Sequence, residues 1–311
     1  MRAAEIRTAG QPPVVTARAE PSPGPGEVAV RVTAAPITPL DLLCASGTSY
    51  FGVPATPYVP GVQGVGTLAG TPVWFATAAG MRPGDGSMAE CAVAASADVV
   101  ELPEQADHAL VAALGLSAVA AWMCLTGKGK LADGETVLVL GAGGVVGQSA
   151  VQLARVAGAG RVVACARSEA ALERARRFGA DGTVRLEDGE DAEALARRLG
   201  AVAGPVDLVL DPVCGVPAAA ALRTLRPGGR LVNLGSAAGG VCPVPSAVLR
   251  SRSLHVLGYT NNELTAGERR EALLTVVAQT MTGALTVGYE RVPLHDAARA
   301  WSRPGRVVLV P

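Results

Sequence analysis

Aromatic side chains are scarce in this sequence: three Trp, four Tyr and three Phe make up only 3% of 311 residues. Any small-molecule pocket is therefore expected to be walled mostly by Ala, Val and Leu. The three histidines, His108, His255 and His295, are scattered, and the six cysteines (Cys44, Cys91, Cys124, Cys165, Cys214, Cys242) never form a C-x-x-C pair. That spacing excludes a cysteine-rich zinc module and reads as six reduced thiols in a reducing cytosol. No net charge is present, with 27 basic and 27 acidic residues. Phosphate backbones and anionic membranes call for a basic surplus, so neither nucleic acid nor a membrane is an expected partner. The N-terminus, Met1–Arg7, lacks the apolar core of a signal peptide. Ala109–Leu125 carries no charge, but Gly115 and Ser117 interrupt it, and it falls short of the ~20 strongly apolar residues of a membrane span. A buried helix pair is expected there, in a soluble cytoplasmic protein.

The 49% of apolar residues against 17% charged excludes disorder, because this much apolar surface offsets chain entropy when buried. The length suits two domains of roughly 100–200 residues each. In the first hundred residues Val28, Val30 and Val32 alternate with Glu27, Ala29 and Arg31, a strand pattern, after the turn cluster Pro21–Gly26. Gly64–Leu68, Pro72–Phe75 and Ser87–Ala94 are further short runs set apart by Gly and Pro. Near residue 104 the texture changes. Strands are expected at Thr136–Leu140, Arg161–Cys165, Asp207–Leu210 and Arg230–Leu234, with helices at Val145–Ala157, Glu169–Phe178 and Val216–Leu225. The strands are continuous apolar runs, as in a doubly wound parallel sheet covered on both faces. In the tail, a helix over Glu268–Thr282, a strand over Thr286–Val292, a short helix over Leu294–Ser302 and a strand over Arg306–Val310 are expected to return to the first domain.

The strongest constellation is the stretch Val137–Gln148, in which a Gly-rich turn joins a buried strand to a helix. Glycines let a backbone approach a pyrophosphate, whose charge then sits on the free N–H groups of the helix start. Gly141, Ala142, Gly143, Gly144, Val145 and Val146 are accordingly the expected dinucleotide-binding residues. The end of the next strand selects the dinucleotide. NAD sites place a carboxylate there for the ribose 2′-OH. This sequence has Ala166-Arg167-Ser168 instead, an arginine fork and a hydroxyl suited to the 2′-phosphate of NADPH.

At this point the sequence resembles the medium-chain dehydrogenase/reductase superfamily over nearly its whole length. The matching pieces are Ala34–Asp41, Pro60–Gly66, Gly86–Glu90, Gly141–Gly147, Arg226–Arg230, Pro293-Leu294 and Gly305–Leu309. The resemblance implies an α/β protein with a GroES-like, β-rich catalytic domain over residues 1–113, completed by 260–311. A Rossmann NADP-binding domain with a doubly wound parallel sheet is implied over 114–259, with the active site in the cleft. Zinc alcohol dehydrogenases carry a cysteine where this chain has Thr38, and Gly-His-Glu where it has Gly61-Val62-Gln63. Thr71–Ala89 lacks the cysteines of a structural-zinc lobe. Cys44 alone does not make three ligands, so no metal is expected. The resemblance is to the zinc-independent quinone oxidoreductase/enoyl reductase branch.

The missing metal points to a conjugated acceptor. Hydride delivery to an isolated ketone creates a localised alkoxide that zinc stabilises. Delivery to an enone or a quinone spreads the charge into an enolate or hydroquinone anion, which hydrogen bonds can hold. Tyr50 lies near the loop position where related reductases carry an active-site tyrosine. It is either a proton donor or an aromatic wall residue with solvent as the donor. Thr38 replaces an asparagine common in the branch and is a candidate to hydrogen-bond substrate or ribose, whereas Asp41 is expected to hold the local turn. The resemblance further brings Leu234, Gly235 and Ser236 to the cofactor and sends a basic tail residue, Arg303 or Arg306, towards its phosphates; both arginines fit surface charges as well. Asn261 and Asn262 are placed where either ligand is within reach. The substrate lining is expected in Cys44–Pro60 and around Val241–Leu249.

The expected function is an NADPH-dependent reductase of a quinone or an α,β-unsaturated carbonyl, acting as a homodimer. Two alternatives stay open: a biosynthetic enoyl or ketone reductase dedicated to one intermediate, and a non-catalytic NADPH-binding structural or sensor protein.

Overall fold

Short β-branched and alanine-rich runs, cut by Gly and Pro, pair early in the chain. In the computed structural model, which describes residues 1–311, β1 (Arg2–Glu5) and β2 (Val14–Ala17) form an antiparallel pair. The alternating valines build β3 (Glu27–Ile37), followed by helix α1 (Pro39–Ser46). β4 (Gln63–Leu68), β5 (Thr71–Ala76), β6 (Cys91–Ala95) and β7 (Val99–Glu101) follow, with β4, β5 and β7 antiparallel neighbours and β6 laid along β3. Ile6, Phe75 and Met88 lie in the core of this unit, fully buried.

The charge-free stretch forms α2 (His108–Met123), which is two helical pieces joined at Gly115 (φ 30°, ψ −128°). The His108–Lys128 segment is long and apolar enough to span a membrane by length and composition, and 67% of its most apolar window is buried inside the protein. At the break, the buried Gln63 amide accepts from Trp74 Nε1 (3.1 Å) and reaches Ala112 O (3.5 Å). A Cβ on Gly115 would land on that amide, so only glycine fits both the space and the backbone angle.

The next segment alternates strand and helix: β8 (Thr136–Val139), α3 (Val145–Val156), β9 (Arg161–Ala166), α4 (Glu169–Arg177), β10 (Gly182–Arg185), α5 (Ala192–Ala203) and β11 (Val206–Asp211). α6 (Gly215–Leu222), β12 (Leu225–Asn233), α7 (Ser246–Ser251) and β13 (His255–Gly258) complete it. All six strands are parallel, in the order β10-β9-β8-β11-β12-β13. This is the doubly wound dinucleotide-binding order, in which the strand sequence reverses between β8 and β11. Leu138, Val163, Val209 and Leu231 fill the sheet from within.

The tail holds α8 (Ala266–Met281), β14 (Glu290–Pro293), α9 (Ala297–Ala300) and β15 (Val307–Val310). β15 pairs antiparallel with β3, giving a seven-stranded sheet of path β14-β15-β3-β4-β5-β7 with β6 beside β3. Among the details that differ from the sequence reading, three bear on the organisation of the chain. The strand expected from Thr286 starts only at Glu290, because residues before it have no ladder partner. The helix expected over Leu294–Ser302 is a 3₁₀ turn (Leu294–Asp296) and the single turn of α9.

The third difference is the division of the chain. The first unit holds Met1–Gly115, Val277–Met281 and Thr286–Pro311, and the second holds Leu116–Val276 and Thr282–Leu285. The segment 260–276 thus stays with the cofactor unit instead of the first. Its ties explain this: Asn261 Nδ2 donates to Leu116 O (3.0 Å) and Glu263 pairs with Lys128 (3.1 Å), both in the second unit.

The lower rim of the parallel sheet is held by charge. Arg230 forms a two-armed contact with Glu135, Arg226 reaches Glu135 and Asp207, and Asp207 Oδ2 accepts from Thr136 N (2.7 Å). Burial pushes the Glu135 carboxyl up, but hydrogen bonds from Arg230, Ala132 N–H and Arg226 reverse it and leave it below its ordinary 4.5. A carboxyl depressed in the folded state adds stability that is complete above its unfolded value and is lost as pH falls through the folded one. Glu135→Gln is expected to cost about 1 kcal/mol at neutral pH. It is also expected to flatten the decline below pH 4.5, as read from urea midpoints across that range.

Candidate functional site

β8 runs through Leu140 into a turn that only glycine permits. Gly141 has φ +65°, and a Cβ there would lie 2.7 Å from Val213 Cγ1. At Gly147 a Cβ would lie 2.6 Å from Ala142 Cα, so glycine lets α3 approach the strand closely. The loop is pinned by Ala142 N donating to Cys165 O (2.8 Å), Gly144 N to Gly141 O (3.1 Å) and Gln148 Nε2 to Gly143 O (2.8 Å). Gly143 and Gly144 are exposed, while Val145 and Val146 are half-buried. α3 starts at an N-cap, Gly144, that offers no side-chain acceptor. The N–H groups of Val145, Val146 and Gly147 have no acceptor in the protein. By contrast α1, α4 and α5 are capped by Thr38, Ser168 and Asp191. Open donors at the positive end of a helix, behind two exposed glycines, are a receptor for an anionic group such as a pyrophosphate.

Beside this turn, β9 ends at Ala166 with no carboxylate. Arg167 and Ser168 are exposed; the Arg167 guanidinium makes no ion pair, and Ser168 Oγ caps α4 by accepting from Ala171 N (3.3 Å). A second arginine stands here. Arg185 is paired in register with Ala166, and its Nε donates to Arg167 O (3.2 Å). Sequence reading missed it because β10, Gly-Thr-Val-Arg, has one buried residue and no apolar run to mark a strand. The Arg167–Arg185 pair and the Ser168 hydroxyl suit a phosphomonoester.

The ends of β11 and β12 make the other side of the same turn. The buried Asp211 carboxylate accepts from Val213 N (3.0 Å), Cys214 N (2.8 Å) and Asn233 Nδ2 (2.8 Å). Burial pushes this carboxyl up, against those three hydrogen bonds. Asn233 Nδ2 also donates to Gly235 O (2.9 Å), Leu234 N donates to Asp211 O (2.9 Å), and Ser236 is exposed. Gly235 is required by close approach, since a Cβ would lie 2.6 Å from Pro212 O. Cys214 holds φ +58°, ψ −155°, a region nearly reserved for glycine and costing about 1–3 kcal/mol, which the Asp211 bond to its N–H secures. Strain of this kind at the end of a central strand has no signature in the sequence.

In the first unit, Thr38 is not free to serve a substrate as expected. It is buried and caps α1: its N–H and hydroxyl both donate to Asp41 Oδ2 (2.8 and 2.6 Å), and its oxygen accepts from Asp41 N (3.3 Å). Asp41 Oδ1 accepts from Gly61 N (3.1 Å) and Val62 N (2.9 Å). One carboxylate therefore ties the α1 start to the Pro60–Gln63 turn. Burial pushes Asp41 up, opposed by the Thr38 and Val62 bonds and by the charge of Arg306. Arg306 is not a surface charge: it is buried, its Nη1 donates to Ile37 O (2.6 Å), and burial pulls it down to about 10. Arg303 pairs with Glu290 (2.6 Å), so its charge already has a partner. Tyr50 is exposed with its ring tilted against Phe51, centroids 4.4 Å apart. Asp41→Asn would point an amide at backbone donors, and a loss of about 3–5 kcal/mol is expected in denaturant unfolding, with a shallower loss for Thr38→Ala.

No three His, Cys, Asp or Glu side chains come together as a metal centre requires. Residues 145–278 match the family model described as zinc-binding dehydrogenase. The chain is 30% identical over 279 residues to quinone oxidoreductase-like protein 2 of Bos taurus, covering 88% of this chain and 78% of the relative. It is 30% identical over 250 residues to the quinone oxidoreductase of Homo sapiens, covering 76% and 73%. Among solved structures, the quinone oxidoreductase of Thermus thermophilus, described alone and in complex with NADPH, superposes with a TM-score of 0.84 at 30% identity over 100% of both chains. The fold, the open helix start and these relatives agree: the chain belongs to the medium-chain dehydrogenase/reductase superfamily, in its quinone oxidoreductase-like branch.

Proposed function

We propose that this protein is an NADPH-dependent, zinc-independent reductase that delivers hydride to a quinone or to the C=C of an α,β-unsaturated carbonyl. The observation that carries the reading is the α3 start, where three N–H groups stand open behind two exposed glycines. The chemistry the dinucleotide supplies when bound is hydride donation from its nicotinamide ring. The backbone of Gly141–Val146 holds the pyrophosphate, Arg167, Arg185 and Ser168 hold the 2′-phosphate, and Leu234–Ser236 border the same strand ends. The relatives named as quinone oxidoreductases, one of them described with NADPH, support this assignment.

The zinc-independent part rests on chemistry. Neither Thr38, whose hydroxyl is held by Asp41, nor Val62 offers a ligand where the zinc branch has Cys and His. A conjugated acceptor disperses its developing charge and needs hydrogen-bond donors in place of a Lewis acid. Tyr50 is the exposed phenol of the α1 loop and the candidate proton donor, with water as the competing source. All six cysteines are unpaired, in keeping with a cytoplasmic setting.

β13 ends the parallel sheet with one edge unpaired, and Val256 on it is exposed. We assign this edge to a homodimer contact. Val256→Lys is expected to halve the mass by light scattering while leaving NADPH affinity unchanged.

NADPH absorbance followed with a panel of quinones and enones tests the function. Turnover is expected; tight NADPH binding with no turnover on any acceptor would favour a sensor or a reductase dedicated to one intermediate. Gly147→Val is expected to abolish NADPH binding. Arg167→Ala is expected to raise the KM for NADPH about 10–100-fold, with a smaller rise for Arg185→Ala and none for NADH.

A further inference from the structure

A cavity of about 310 Å³, lined by none of the dinucleotide-binding residues, opens in the first unit. All of its lining residues lie between Arg18 and Asp85, inside that unit. Its rim is exposed at Ala55, Pro57, Arg82 and Pro83, and its floor is buried at Tyr58 and Gly80. Glycine keeps the floor open: Gly80 has φ +75°, and a Cβ there would lie 2.7 Å from Cys44 Cβ and 3.0 Å from Tyr58 Oη. Tyr58 is 4% exposed and its hydroxyl has no hydrogen-bond partner, an unspent donor where buried groups are normally satisfied. A second wall is fixed by charge. Asp85 Oδ1 accepts from Val59 N (2.8 Å), and Asp85 makes a two-armed contact with Arg18 (3.0 and 3.3 Å), which also faces Glu5 (3.5 Å). Arg82 sits on a tight turn in which its own N–H and that of Met81 both donate to Ala78 O (2.9 and 3.0 Å).

Arg18 is thereby neutralised, whereas the Arg82 guanidinium has no carboxylate partner. Among the lining residues two arginines meet one aspartate, so one positive charge is left uncompensated, on Arg82. A guanidinium carried on a pinned turn receives a planar carboxylate through two parallel N–H bonds. The remaining walls suit a ring. Pro54, Pro57 and Pro83 are rigid and apolar and carry no N–H to satisfy, and Tyr58 adds an aromatic floor. The volume is at the lower end for a small-molecule site, room for one or two fused rings. We propose that this cavity binds a small arenecarboxylate, a monoanion whose carboxylate pairs with Arg82 and whose ring lies on the proline walls and Tyr58.

The test is calorimetric titration of the full chain with naphthoate and with its neutral isostere naphthamide, each with and without saturating NADPH. Expected is saturable binding of naphthoate at one site, about tenfold or more tighter than that of naphthamide, with the same affinity in both cofactor states. Arg82→Gln, at an exposed position, is expected to weaken naphthoate about tenfold or more and to leave naphthamide unchanged. Arg82→Lys is expected to recover part of that loss, because it restores the charge without the planar fork. No saturable binding, equal affinity for naphthoate and naphthamide, or a naphthoate affinity that Arg82→Gln does not move overturns the site. Displacement of naphthoate by NADPH overturns it as well, since the anion would then occupy the dinucleotide turn. Each of these outcomes leaves turnover of NADPH with quinones and enones, and with it the reductase reading, untouched.

Discussion

The interaction on which the molecule depends is one it does not complete by itself: the start of α3, whose first N–H groups no side chain receives. A helix end normally finds a serine, threonine or aspartate cap, as α1, α4 and α5 do here. A capping side chain at α3 would fill the space an anion needs. The glycines exist to keep that space open while the strand, turn and helix stay in contact: Gly141 bends the chain, Gly147 admits the helix, and Gln148 holds the loop carbonyl of Gly143. The Asp211–Asn233 contact then fixes the neighbouring strand ends around the turn. The parallel sheet is the scaffold that makes these backbone groups converge.

The first unit solves a different problem. Where the zinc branch gathers metal ligands around the α1 start and the following turn, this chain places a buried carboxylate. Asp41 holds Thr38, Gly61 and Val62 through four hydrogen bonds, with a buried guanidinium from the far end of the chain to offset its charge. An ion between those elements and a carboxylate between them both act as cross-links, but a carboxylate bound by backbone donors has no open coordination position. The unit thereby ties the α1 start to the following turn through one carboxylate and four donors.

Much of this was legible from the sequence. Gly141–Gly147 after Val137–Leu140 announces strand, turn and helix together, because the residue types that permit the close approach are found nowhere else in that order. The absence of a carboxylate after β9 likewise reads directly. Less was legible where elements are short or marginal. α5 carried a helical period in Leu195 and Leu199 with Asp191 as a cap, yet no strong apolar run called attention to it. β10 has a single buried side chain, and with it Arg185 went unseen.

Composition and local pattern determined the two-part α/β organisation, the dinucleotide turn and the Thr and Val at positions 38 and 62, since each is a matter of which residue types sit next to which. Tertiary structure decided what distant residues do to one another. Only folding brings Arg306 beneath Ile37 and Asp41, commits the Thr38 hydroxyl to a cap, and sets Arg185 beside Arg167 across a strand pair. Those roles depend on distances and burial between residues far apart in the chain, and on the competition of one hydroxyl between partners, which no linear spacing records.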